Sequence, residues 1–176
     1  MNGLHHDTPR HPARRRRSLV TAAVASLAVL AVAAGITIAS PPSGVTPTLL
    51  SRGSFDEFKV MSNPATGALF KAEAKGPIDV VVRRHAYDPG GSTGWHAHPY
   101  PVLVTVLEGT LTFYEYGDKT CTPVVVTAGN GYVDSGRGHI ARNETGVTAV
   151  DISVIMAPVG APFRSELDEP APFCGF

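Results

Sequence analysis

The chain has 176 residues, enough for one domain and not comfortably two. Its formal net charge of zero conceals an asymmetry, because Arg10 and Arg14 to Arg17 crowd the first 17 positions. From residue 40 onward 10 Lys and Arg face 14 Asp and Glu, a mildly acidic balance. It excludes a nucleic-acid partner, which selects clustered cations on one face. With 18 Gly and 15 Pro, the composition implies many turns and short strands.

Residues 1–39 read as an address. A basic stretch ending at Arg17 precedes 21 uncharged residues, Leu19 to Ala39, and Pro41-Pro42 then breaks any helix. This is the order of a secretory signal peptide, with Thr37 and Ala39 small enough for cleavage after Ala39. The alternative is an uncleaved membrane anchor over residues 19–39, just long enough to span but diluted by eight Ala. Either way the remainder lies beyond the cytoplasmic membrane, secreted or anchored to its outer face, since the Arg cluster stays inside. Arg16-Arg17 also loosely resembles a twin-arginine signal, although an ordinary basic n-region accounts for it.

Residues 40–51 read as a linker, and Arg52 to Lys59 as a short strand or turn. Short apolar runs follow: Ile78–Val82, Val102–Leu107, Thr110–Tyr116, Thr122–Thr127, Gly131–Val133 and Val147–Met156. Turn signals separate them, among them Tyr87-Asp88-Pro89-Gly90-Gly91-Ser92 and Gly117-Asp118-Lys119. Many short strands without an amphipathic helix predict an all-β sandwich or barrel. Cys121 and Cys174 are the only cysteines, so outside the cytoplasm they are expected to pair. The closed loop of about 50 residues would contribute about 4 kcal/mol.

The chemistry concentrates on histidine. Trp95-His96-Ala97-His98 places two imidazoles at i and i+2, which share a strand face. A metal needs a third donor, and His139 in Gly136-Arg137-Gly138-His139 is the candidate. Glycines there let backbone pass close to the site. His85, within Arg83-Arg84-His85-Ala86-Tyr87, reads as a solvated or capped residue rather than a fourth ligand.

At this point the chain resembles the cupin superfamily. One family motif runs glycine, H-x-H, glutamate, glycine. Here it corresponds to Gly90-Gly91-Ser92-Thr93-Gly94-Trp95-His96-Ala97-His98 followed by Leu107-Glu108-Gly109. The second motif matches Gly136, His139 and Asn143, with Ala128 to Asp134 resembling its start. The resemblance implies a jelly-roll β-barrel domain over 52–176, with its core at about 70–157 and a C-terminal tail at 158–176. It also implies a metal held by His96, His98 and His139. There is one departure: counting back from Gly109, the family glutamate falls on Val102, which cannot ligate. Glu108 is a turn residue.

Three neutral imidazoles suit Zn²⁺, Fe²⁺, Ni²⁺ or Cu²⁺ and suit Mn²⁺ less well. Tyr100, Val102, Phe113 and Asp151 are the candidate pocket residues. Asp151 is either an outward-facing strand residue or a partner holding a ligating imidazole. Such a site fits an oxygenase- or isomerase-type enzyme on a small organic molecule. It fits equally a non-catalytic module that binds a small ligand or metal, or a barrel that has lost its metal. A homodimer is implied by resemblance alone.

Overall fold

The computed structural model describes residues 40–168 and 174–176. The expected signal or anchor segment lies outside the described residues. Twelve strands form and no helix is present among the described residues. They are β1 (Ser43–Phe55), β2 (Phe58–Ser62), β3 (Phe70–Ala74), β4 (Ile78–Ser92), β5 (His96–Ala97) and β6 (Val102–Glu108). There follow β7 (Thr110–Glu115), β8 (Val124–Thr127), β9 (Gly131–Asp134), β10 (His139–Arg142), β11 (Ala149–Pro158) and β12 (Ser165–Glu166).

Ten of them make one antiparallel sheet, bent nearly into a closed barrel in the order β12-β5-β10-β4-β11-β6-β9. β1 adds to β4, and β7 joins β10 to β8. β2 and β3 pair as a separate ribbon. The barrel follows from alternation. In β6, Val102, Val104 and Val106 are buried while Leu103, Thr105 and Leu107 are exposed. The inward apolar residues of several strands, among them Val81, Leu111, Phe113, Val126 and Ile155, meet in one core. A second cluster of Trp95, Tyr114 and Ile140 lies beneath the Cys121–Cys174 disulfide, which joins the end of the chain to the barrel. The expected cysteine pairing is thus present.

Three expectations change. Most of the linker at 40–51 is strand: β1 pairs with β4 from Ser43↔Ser92 to Phe55↔Ile78. Pro47 misleads there, because proline is tolerated in a strand with a partner on one side only. The turn expected at Tyr87 to Ser92 is the far end of β4. Gly90, at φ 77°, supplies a kink, and Gly90 and Gly91 exchange backbone hydrogen bonds with Asn143. Asn143 Nδ2 also donates to the carbonyls of Asp88 and Val147, closing its own turn. Finally, the tail at 158–176 is not appended to the barrel but contributes to it, since β12 pairs with β5.

Candidate metal centre

His96 and His139 face each other across the β5–β10 pairing, and His98 follows two residues after His96. All three are buried. Their ring centroids lie 4.5 Å (His96–His139), 4.9 Å (His96–His98) and 5.6 Å (His98–His139) apart. One ring nitrogen from each lies within 4.8 Å of the others. Two glycines make this approach possible. A Cβ on Gly94 would stand 2.0 Å from the Ser40 carbonyl oxygen, and one on Gly138 would stand 2.5 Å from Leu167 Cδ1. Both glycines also hold positive φ, which other residues resist.

Hydrogen bonding decides which nitrogen is free. His96 Nδ1 donates to the Gly94 carbonyl at 2.9 Å, and His98 Nδ1 donates to the Phe163 carbonyl at 2.6 Å. A carbonyl can only accept, so both rings carry their proton on Nδ1 and leave Nε2 as a lone pair. His139 Nδ1 lies 3.2 Å from Asp134 Oδ2. That contact is close but poorly aimed for a hydrogen bond, and neither buried atom has another partner. Asp134 Oδ1 accepts the Gly136 N–H at 3.0 Å, which fixes the carboxylate behind the ring.

The charge states agree with this arrangement. Burial, with the neighbouring His139, drives the His96 pKa far below the ordinary histidine value. Burial likewise takes His98 down to about 4, against the opposing pull of its Phe163 hydrogen bond. Burial alone would raise Asp134, but the adjacent His139 and the Gly136 N–H outweigh it and hold the carboxyl below its usual range. Neutral imidazoles with Nδ1 engaged by an acceptor are what a divalent metal requires of its ligands. Nitrogens bound at about 2.0–2.1 Å stand roughly 3.3 Å apart around a tetrahedral ion, so a modest contraction would complete the shell. The donor set fits the metal.

The cavity in front of the triad measures about 200 Å³ and is bounded by apolar Val102, Val104, Phe113 and Ile155. Val102 thus occupies an inward position, as its strand parity implied. Phe113 stacks on Tyr132 with centroids 4.1 Å apart, and the Tyr132 hydroxyl donates to Glu115. Tyr100 does not belong to this site. It is 40% exposed and borders a different groove with Phe58, Pro101 and Met156, because Pro99 and Pro101 interrupt the strand that would have carried it inward.

Asp151 and His85 require the larger correction. Asp151 neither faces outward nor holds a ligating imidazole; Asp134 has that second role. Val81, Arg83, His85 and Tyr87 alternate along β4, and β11 sets Asp151 opposite His85 and Ser153 opposite Arg83. All of these but Val81 border the cavity. Asp151 accepts His85 Nδ1–H at 2.8 Å, the Tyr87 hydroxyl at 2.7 Å and the Ser153 hydroxyl at 3.2 Å. Burial, and then the Asp151 charge, push the Tyr87 phenol well above its ordinary pKa, so it stays a donor. His85 is therefore not a solvated residue. The sequence did hold a signal: buried Val81 and Tyr87 share parity with Arg83 and His85.

An antiparallel barrel with three buried imidazoles at one end of its cavity defines the class. The cupin-domain profile matches residues 83–155, so this stretch of the chain is a cupin domain. No curated protein matches the sequence. Among solved structures, a recombinant oxalate oxidase in complex with glycolate is 24% identical, over 49% of this chain and 45% of its own, with a TM-score of 0.41. The chain thus spans under half the length of that protein. A cupin domain from Bordetella pertussis Tohama I is 21% identical over 66% of this chain and 95% of its own, TM-score 0.41. The polyketide cyclase RemF from Streptomyces resistomycificus is 18% identical over 76% and 79%, TM-score 0.48.

Proposed function

We propose that the protein binds one divalent transition metal, Zn²⁺, Fe²⁺, Ni²⁺ or Cu²⁺, through Nε2 of His96, His98 and His139. We assign it an oxygenase- or isomerase-type reaction on a small organic molecule outside the cytoplasmic membrane. The observation that carries this reading is the convergence of the three rings, with a separate acceptor facing each Nδ1: Gly94 O, Phe163 O and Asp134. A buried histidine that only packs also needs an acceptor for its N–H. What packing does not require is that ring nitrogens of all three converge within 4.8 Å of one another. The disulfide supports an oxidising compartment.

Bound there, the ion would supply a Lewis-acid centre with open coordination positions. The chain's own residues supply the rest. Val102, Val104, Phe113 and Ile155 exclude water. His85 is the proton carrier: Asp151 holds its Nδ1–H, which leaves Nε2 as the basic nitrogen. Asp151 is a positioning residue, itself held by Tyr87 and Ser153.

A second reading, a non-catalytic module for a small ligand or metal, is favoured by one observation. Val102 stands where the family carries a carboxylate, so the triad end of the cavity offers no acid or base. Elemental analysis of the mature protein, with His96→Ala/His98→Ala beside it, tests the shared premise. The wild type is expected to retain close to one metal per chain and the double variant almost none. Absence of metal from the wild type after loading with each of the four ions would overturn the metal centre in both readings and leave only a metal-free module for a small ligand.

A further inference from the structure

We propose that Arg83 anchors an anionic group of the ligand, so that the cavity takes a small carboxylate spanning from Arg83 to the three histidines. The triad contact rests on the metal reading above; the Arg83 contact does not.

The inference comes from the distribution of charge around the cavity. Arg164 is engaged: it forks onto Glu166 through Nε at 2.6 Å and Nη2 at 2.7 Å, and Nη2 also reaches the Thr93 carbonyl. Asp151 is engaged by its three donors. Asp134 sits behind His139. Arg83 alone is left over. Its Nε is buried with no hydrogen-bond acceptor, and it forms no ion pair among the described residues. Its guanidinium lies over the Phe163 ring, 5.2 Å from the centroid, which fixes its plane without satisfying its N–H groups. A buried guanidinium N–H without an acceptor is costly.

The chemistry of the occupant follows. A guanidinium fork matches two oxygens of a planar carboxylate. The one unmatched guanidinium pairs one carboxylate, so in a dicarboxylate the second carboxylate lies toward the three histidines. The volume of about 200 Å³ holds roughly six water-sized groups, about the size of malonate. Phe163 ties the two contacts together, since its carbonyl orients His98 while its ring supports Arg83.

The competing account gives Arg83 a structural role, balancing Asp151 at a distance. The full mature protein, metal-loaded and metal-free, is titrated calorimetrically with malonate and with neutral malonamide. Malonate is expected to bind at least about tenfold more tightly than malonamide. Arg83→Met and Arg83→Gln should weaken malonate about tenfold or more, Arg83→Lys should recover part, and metal content should not change. Without malonate the Arg83→Met protein should melt no lower than wild type. Malonate should raise the wild-type midpoint and not that of Arg83→Met. Equal affinity for malonate and malonamide, no malonate binding up to about 10 mM, or undiminished binding by Arg83→Met would overturn the proposal. Malonate binding that needs Arg83 in a protein unable to hold metal would sink the metal centre and leave this inference standing.

Discussion

The two ends of the cavity are built on opposite terms. At the triad end three histidines present inward nitrogens; His96 and His98 hold their other nitrogen on backbone carbonyls, and His139 has the carboxylate of Asp134 behind it at 3.2 Å. At the β4–β11 end Arg83, Asp151 and His85 gather, and Arg83 Nε has no acceptor among the described residues. The first arrangement prepares neutral donors for a cation. The second holds a proton carrier and an unmatched positive charge against whatever lies between. The difference teaches that the missing carboxylate at Val102 need not mean an inert barrel, because titratable groups have gathered on the facing strands instead.

If the ends are separate devices, damage to one should spare the other. The largest effect is expected at the charged end. Asp151→Ala strands the hydroxyls of Tyr87 and Ser153 and the His85 N–H, so urea unfolding should report a loss of about 3 kcal/mol. Metal per folded chain should remain unchanged. Asp151→Asn, which keeps the shape, should lose less in the same direction. A fall in metal content that parallels the fall in stability would erase the distinction between the ends. A smaller effect is expected behind the triad. Asp134→Asn should weaken metal affinity by about 10–100-fold in a chelator competition, as loss of a partner to a ligating histidine generally does. Malonate binding to the metal-free protein should be unaffected.

The triad end was the legible one, for physical reasons. His96 and His98 are separated by one residue, and His139 sits among glycines, so the donors announce themselves within two short motifs. The barrel was legible too, because short apolar runs recur between turn signals with no amphipathic helix among them. The charged end was not, because Arg83-Arg84-His85 reads as solvent-facing until the register with β11 shows which alternate side chains turn inward. Asp151 is a candidate in the sequence, but only pairing with β4 places it on His85 rather than on a metal ligand. β1 was hidden by Pro47, and Phe163 and Arg164 by their position in what reads as a tail. Their contributions are a backbone carbonyl and a guanidinium reaching a backbone oxygen, contacts that no sequence pattern encodes.

The most direct test of the central claim is X-ray absorption on the metal-loaded mature protein. The account predicts three imidazole nitrogens at about 2.0–2.1 Å, with the remaining positions filled by water or added carboxylate and none by a protein carboxylate. A shell with fewer than two imidazoles, or one that persists unchanged in His96→Ala/His98→Ala, would contradict it.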